Sequence, residues 1–469
     1  MIASQLLFKS GDPYSQRLVD ESERLLRTNR YLHDATIEPL SVDPDSTDME
    51  VRVRDVWTLN VGGGLGRRGG ANSTHFQLQD TNFLGLGKAL TFERRSNVDR
   101  VSSLFRYDDP AILGTRFTLG LDYSSNSDGS LRKADFGRPF YALDTRWAAS
   151  FAGLQDDRVE THYALGEKSD RFRQRQDFFS LQGGLSSGIE RGWARRWTAG
   201  FTYERDRFAR EPGAVGPEQL PLDRTLSYPW IGLDWIQDDY RIERDLDQIH
   251  RTEDLHLGGQ LHALLGYSTK ALGGDDDRLI FEARASRGFQ LTDRKLLLLA
   301  GETASRWGSE GRENASLTAG AKFYARNFGD HLFSATFEGT VTDNLDRESQ
   351  LTLGGENGLR GYPLRYQDGN ARAYLTLEQR FFTDWYPFRL VHVGGAIFFD
   401  IGRTWTGGDA DDPNLSRNYG VLRDVGIGLR LSSSRSGLGR MLHIDLAVPL
   451  DGDSSIQSVQ VFVTTKQSF

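Results

Sequence analysis

Val459-Gln460-Val461-Phe462-Val463-Thr464-Thr465-Lys466-Gln467-Ser468-Phe469 is the stretch on which the reading of the fold turns. Val459, Val461, Val463, Thr465, Gln467 and Phe469 share one parity, and alternate side chains of a strand point to opposite faces of a sheet. The segment therefore reads as a strand that runs to a terminal aromatic. Soluble chains more often end in a frayed polar tail. A closing aromatic at a membrane interface is what the aromatic girdle of a transmembrane barrel uses, so Phe469 is expected there as an insertion signal.

The same alternation extends upstream. Trp57, Leu59, Val61 and Leu65 share a parity, as do Trp197, Ala199, Phe201 and Tyr203, and Phe333, Ala335, Phe337 and Val341. Ser334, Thr336 and Glu338 fill the other parity, so one face meets something apolar and the other meets water. A soluble sandwich or propeller would share this alternation. Dividing the chain from Trp57 onward at about 26 residues per strand predicts ~16 strands.

Residues 1–54 read differently. Leu18, Ser22, Leu25 and Leu26 lie on one face of a helix, with Arg17 and Glu21, and Asp20 and Arg24, paired four apart outside it. Alternation through Ala35 and Ile37, a turn at Asp43-Pro44-Asp45-Ser46, and alternation at Met49, Val51 and Val53 then predict a hairpin. The domains are thus 1–54, a small helix-plus-hairpin unit, and 55–469, a barrel.

Composition agrees. Among 469 residues there are 51 Gly, 11% aromatics and only 3 Met, which suits many short strands and turns. The longest aliphatic run, Leu296 to Leu299, is far short of the roughly 18 to 20 apolar residues of a spanning helix. Absence of cysteine excludes a disulfide framework, Cys-ligated zinc and a thiol nucleophile. A net charge of −8 with both signs interspersed offers no basic patch for nucleic acid. A charged and apolar leader is not found at Met1, and a trimmed start is expected.

The chemical motifs are weak. Gly64-Leu65-Gly66-Arg67-Arg68-Gly69 matches a dinucleotide fingerprint, yet only Ala71-Asn72-Ser73 and another strand follow, so no helix N-terminus exists to hold a pyrophosphate. His256 and His262 are separated by ~20 Å of strand, too far to share a metal. With no GxSxG elbow either, the expectation is a protein that is not an enzyme and uses no metal and no cofactor.

One cluster is informative. Leu353-Gly354-Gly355-Glu356-Asn357-Gly358-Leu359-Arg360-Gly361-Tyr362 is a turn-rich loop carrying one arginine. In the strand after it Ala373, Leu375 and Leu377 take the lipid parity, so Tyr374, Thr376, Glu378 and Arg380 face the lumen. In the next, Val393, Ile397, Phe399 and Ile401 take the lipid parity, leaving His392 and Asp400 inward. Glu378 and Asp400 are therefore available to Arg360 if the loop folds into the barrel, a geometry suited to a guanidinium.

These residues resemble the bacterial surface antigen family, the POTRA-plus-barrel outer-membrane assembly and translocation factors of the BamA and TamA type. Leu359-Arg360-Gly361-Tyr362 resembles the family's loop-six signature, with Leu and Tyr in place of the commoner Val and Phe. Glu378 in Leu377-Glu378-Gln379-Arg380-Phe381, and Phe398-Phe399-Asp400-Ile401-Gly402 with Trp405, resemble the strand motifs that the loop arginine contacts. Asn82-Phe83-Leu84-Gly85-Leu86-Gly87, Tyr107-Asp108-Asp109-Pro110, Gly426 to Arg430 and Asp445 to Leu450 resemble its turns and penultimate hairpin. Residues 7 to 54 resemble a single POTRA domain, through Gly11, Leu25-Leu26 and Tyr31-Leu32.

The resemblance implies an all-β transmembrane barrel of 16 antiparallel strands in the bacterial outer membrane, with one N-terminal α/β POTRA domain in the periplasm. It implies a role in protein insertion or translocation, with outer-membrane lipid and unfolded client proteins or periplasmic partners as what it meets. A single POTRA domain argues against the central insertase. The alternative is a passive outer-membrane channel or secretion pore. The seam between first and last strands is expected to be weak: Gly62, Gly63, Gly64 and Gly66 thin the first strand, and Lys466, Gln467 and Ser468 interrupt the apolar face that Val461 and Val463 begin in the last.

Overall fold

The computed structural model describes residues 2–29, 31–55, 57–247, 249, 252–405, 420–433, 441–452, 454 and 456–466. Among them, 20 strands close into one antiparallel barrel in which each strand pairs with its neighbours in the chain and the last, Gln460–Lys466, meets the first, Leu59–Arg68. The expectation of 16 strands is thereby corrected. That estimate allowed for long loops, whereas many connections are two-residue turns such as Gly69-Gly70, Leu165-Gly166, Arg191-Gly192 and Asp293-Arg294. Short turns leave residues for more strands. Elsewhere the wall lengthens, reaching 24 residues in Glu167–Glu190.

The alternation along each strand sets which side chains line the lumen. On Val391–Trp405 the even positions Ala396, Phe398, Asp400 and Thr404 are buried, while Ile397 is exposed. Leu59, Val61 and Leu65 project outward from the first strand, Leu65 with 77% of its surface exposed, and Trp197, Phe337, Val341 and Ile427 do so around the wall. So much apolar surface facing out from a closed sheet with a charged interior suits lipid outside, because strand-to-strand pairing satisfies the ladder donors and acceptors within the wall away from its seam. No helix among the described residues is long and apolar enough to cross a membrane.

Residues ahead of the barrel form helix α1, Gln16–Arg27, packed on a hairpin of β1, Leu32–Val42, and β2, Thr47–Asp55. Ala35 stands opposite Val53 and Ile37 opposite Val51, and the turn closes through the Asp43 N–H donating to Ser46 O at 2.8 Å. The core is Val19, Leu26, Tyr31, Leu32, Ala35 and Ile37. One helix on a two-stranded sheet is what stands at the position expected to hold a POTRA domain, and that assignment is not upheld. The helix is also rotated from the expected face. Val19, Ser22 and Leu26 are buried with Glu21, and Leu18 and Leu25 only partly so, because a second side of the helix rests on the barrel.

Leu26 is fully buried in this small core. Leu26→Ala is expected to cost the unit about 2–5 kcal/mol. Amide exchange should accelerate across residues 16–55, while the heat-modifiable mobility of the barrel stays unchanged.

Candidate functional site

Connections at the end carrying the N-terminal unit are termed near, and the others far. Counted along 20 strands, the loop holding Leu359 to Tyr362 is the eighth far connection rather than the sixth. It folds inward over a cluster of Leu353, Leu359, Tyr362, Tyr366 and Leu422. Gly358 has a φ of +105° and lies so close to the Tyr374 ring that a Cβ would fall 2.4 Å from it; at Gly361 a Cβ would stand 2.7 Å from that of Asp424. Glycine at these two places lets the loop lie against the wall.

Between them Arg360 enters the lumen, 6% exposed. Its Nε and Nη2 donate to the two oxygens of Asp400 at 2.8 and 2.9 Å, and its Nη1 donates to Glu378 at 2.9 Å and Asp445 at 3.2 Å. The guanidinium lies 3.4 Å from the centre of the Phe398 ring. Glu378 also accepts from Arg380 at 2.9 Å and Arg430 at 2.8 Å, and Arg430 bonds Asp445. The Gly361 N–H donates to Asp424 at 3.1 Å, and the Tyr362 hydroxyl to Arg423 O at 2.7 Å. Glu378 and Asp400 are thus brought to Arg360, while sequence reasoning missed Asp424, Arg430 and Asp445 as members. Their signal was the same parity rule: Val425, Ile427 and Leu429 point out, which leaves Asp424 and Arg430 inward.

Higher in the same loop Arg365 pairs with both oxygens of Asp99 at 2.9 Å and with Glu356 at 2.9 Å, and the Tyr163 hydroxyl donates to Asp99 at 3.0 Å. Burial pushes the Asp99 carboxyl up, but the Arg365 guanidinium, the Tyr163 hydroxyl and Arg100 together offset it and hold the group below the ordinary aspartate value.

From the near side, a second insert occupies the lumen. The connection 238–259 carries the hairpin Tyr240–Arg244 with Thr252–His256, and its Leu246 and Leu257 pack on Leu296, Tyr324 and Leu332 of the wall. The Tyr324 hydroxyl donates to Asp247 at 3.1 Å, and Arg380 bonds Leu246 O and reaches Asp247 at 3.5 Å. Arg380 therefore joins the near insert to Glu378 and so to the far loop. Helix α1 holds this insert from below: Arg27 is bidentate to Asp254 at 2.8 and 2.7 Å, and Arg24 lies 3.6 Å over the Tyr240 ring. Arg17 pairs with Asp144, and Glu21 accepts the Leu143 N–H at 2.7 Å.

The seam is thin. Among the described residues Gln460–Lys466 is aligned with the first strand only at Val463 opposite Arg67, whereas its other edge runs in register from Lys466 opposite Met441 to Gln460 opposite Ala447. At Gly62 and Gly63 a Cβ would make ordinary contacts, 4.0 Å from Gln77 and 3.8 Å from His75 O, while at Gly64 it would fall 2.2 Å from the His75 ring. Val461 points outward, and Arg68 reaches across to the Thr464 hydroxyl. Behind the seam a cavity of about 740 Å³ is lined by Gly64, Gly66, His75, Arg95, Leu442 and Thr464 among others. Phe469, expected as the interfacial aromatic, lies outside the described residues.

The strand-bound glycines 64 and 66 lead into a turn and a further strand, not a helix. His256 bonds Gln237 O and His262 bonds Asp234, so the two histidines serve different partners.

No family model matches this chain, and no curated protein matches it. Solved structures similar to it include BamA from Haemophilus ducreyi lacking POTRA domains 1-3, at 14% identity over 99% of this chain and 81% of that one, with a TM-score of 0.44. CdiB from Escherichia coli is similar at 16% identity over 99% and 73%, with a TM-score of 0.48. CdiB from Acinetobacter baumannii is similar at 13% identity over 98% and 70%, with a TM-score of 0.43. At such identities and scores the likeness bears on no residue's role.

Two outcomes follow from this geometry. Arg360→Ala leaves Asp400, Glu378 and Asp445 facing one another without their shared cation, a cost of about 3–5 kcal/mol. Residues 344–370 should become sensitive to added protease and the thermal transition of the barrel should fall, and Arg360→Lys should restore little, since an ammonium lacks the fork. At the near mouth, burial pushes the Glu21 carboxyl above its ordinary value of 4.5, outweighing the Leu143 N–H, Arg24 and Arg17, while Asp238 adds to the rise. A raised acid stabilises docking most when protonated, so that contribution is in place below 4.5 and is lost as pH rises through the docked value. Exchange protection of Gln16–Arg27, corrected for intrinsic rates, should grow as pH falls from neutral toward 4.5. Glu21→Gln should flatten that dependence.

Proposed function

We propose that this chain is an outer-membrane barrel that assists the insertion of proteins into that membrane, or their translocation across it, by opening sideways at its seam. The observation that carries the reading is that, among the described residues, the last strand is aligned with the first only at Val463 opposite Arg67. Inside a bilayer every backbone donor needs a partner, so an ordinary barrel makes its closure as continuous as any other ladder. A short closure leaves strand edges that an incoming client strand can pair with before release into lipid. Outer-membrane placement is supported by the apolar exterior of a closed sheet, with the N-terminal unit then on the periplasmic side.

Client recognition by a POTRA domain is not carried into this reading; the near-mouth unit contributes through its contacts with the insert. The chain needs no chemistry of its own here, and we read it as a non-enzyme without cofactor, driven by the folding of what it handles. A freely conducting pore is the rival. Against it stand the far loop and the near insert, which meet across the lumen through Arg380 and Glu378.

The chain has no cysteine, so Arg67→Cys with Val463→Cys gives one oxidisable pair across the seam. Oxidation is expected to stop client assembly or export and reduction to restore it. Unchanged activity of the oxidised protein would remove lateral opening and favour the pore, which would then show a large steady conductance in planar bilayers.

A further inference from the structure

The near rim is not uniform around the barrel. On one side the N-terminal unit covers it, through Arg17 and Glu21 at residues 143–144, Arg27 at Asp254 and, at the border with the other side, Leu6 O accepting from Arg116 at 3.2 Å. On the other side, flanking the seam, turn tips are large, apolar and uncovered. Leu84 and Leu86 cap the turn after Ala71–Phe83, and Leu113, 95% exposed, caps the one after Val101–Asp109. Phe328 precedes Leu332–Asp343, and Trp385 and Phe388, the latter 92% exposed, precede Val391–Trp405. In barrel order these strands lie on both sides of the junction between Gln460–Lys466 and Leu59–Arg68. The intervening near turn, 434–440, lies outside the described residues.

Turn geometry does not account for these residues. Leu84-Gly85, Leu113-Gly114 and Arg191-Gly192 are turns of one kind, with φ of 54° and 72°, 50° and 74°, and 54° and 79°. Each places a residue with a side chain in the left-handed region, which glycine or asparagine enters more readily. The same pair of left-handed φ values thus carries an exposed arginine on the side away from the seam and exposed leucines on the side beside it. Asp293-Arg294, another turn away from the seam, is likewise charged and exposed. What differs between the two arcs is what the side chains meet.

We propose that Leu84, Leu86, Leu113, Phe328, Trp385 and Phe388 form an arc that inserts into the headgroup and acyl boundary of the near leaflet, pinning the seam side of the rim in lipid. The occupant is lipid because the tips continue the outward apolar wall of the strands they join: Phe76 and Leu78 lie above Leu84, Phe105 above Leu113, Phe337 above Phe328 and Ile397 above Phe388. Apolar tips at this level bury in the interface, while a charged tip such as Arg191 stays hydrated. The proposal rests on the membrane-spanning reading of the wall and not on lateral opening. It adds that the rim is amphipathic around its circumference, so that any edge freed at the seam faces lipid and not the aqueous mouth.

The absence of cysteine allows single labels. Leu113→Cys and Phe388→Cys on the arc, Arg191→Cys and Arg294→Cys away from it, and Phe337→Cys on the wall are each labelled with an environment-sensitive fluorophore. The full chain is then reconstituted in phosphatidylcholine vesicles with or without brominated acyl chains, with iodide on both sides. Labels at 113 and 388 are expected to emit to the blue, to be quenched several-fold by brominated lipid and to be shielded from iodide, with 191 and 294 the reverse. If 337 is quenched by brominated lipid but 113 and 388 stay open to iodide, the arc is wrong and the membrane reading stands. If 337 is itself open to iodide, the membrane reading fails and the arc with it. Protection of 113 and 388 in native membranes but not in vesicles would assign the arc to a protein and overturn the lipid proposal.

Discussion

A guanidinium withdrawn from water among three carboxylates is the constraint on which the interior of this barrel depends. Arg360 alone would be costly to bury, and so would Asp400, Glu378 or Asp445; together, with forked hydrogen bonds and the Phe398 face, they satisfy one another. The energetic meaning of such a cluster lies less in what it adds than in what any single loss leaves behind. Replacing all its members by apolar groups could be neutral, whereas removing one strands the rest. The far loop, the wall strands from Ala371–Phe382 to Met441–Pro449 and, through Arg380, the near insert therefore keep their arrangement jointly.

That rigid arc ends one strand before the seam. Gln460–Lys466 is in register with Met441–Pro449, which carries Asp445, and among the described residues it is aligned with Leu59–Arg68 at one pair. Separating the first strand from the last thus breaks no member of the arginine cluster. Stability in proteins is distributed unevenly, with openings confined to units holding few buried contacts and few ladder bonds. Here the weakest ladder lies beside the most heavily cross-linked wall, so the edge that opens is held in position by the part that does not.

Much of this was legible in the sequence, and the limits have physical causes. Period-two alternation identifies strands and their inner faces from local sterics alone, which is why Glu378 and Asp400 could be paired with Arg360 before any coordinates. Strand number is not local: it depends on how many residues each turn consumes, and pairs such as Leu165-Gly166 consume fewer than an average loop. The near insert was not legible either. Leu246 and Leu257 sit in a stretch dominated by charge, and they are buried only because the barrel offers an apolar ledge at Leu296, Tyr324 and Leu332. Glu21 reads as one half of a surface pair with Arg17, and does pair with it, yet tertiary placement buries it beneath Leu143. The helix-plus-hairpin pattern described the first 55 residues adequately, and giving it a domain name went beyond what the pattern holds.

The charged contacts also order themselves along the barrel axis. Arg17 and Asp144 at the near mouth keep about a third of their side-chain surface in water, Arg27 and Asp254 keep 11% and 17%, and Arg380, Glu378 and Arg360 keep 7% or less. Solvent-exposed ion pairs are worth little and are screened by salt, whereas breaking a buried pair leaves an uncompensated charge in a dry interior. Strain or competition applied at the near mouth therefore acts first on the Arg17–Asp144 contact. The Arg27–Asp254 pair, which joins the N-terminal unit to the insert, is next, and the Arg360 cluster of the far loop is last. The gradient runs from the near mouth toward the loop that fills the lumen, and among the described contacts one path from helix α1 to Arg360 passes through Asp254, the insert and Arg380. That path joins the two ends of the barrel through charged contacts, and the most solvent-exposed of the charged contacts is Arg17 with Asp144 at the mouth.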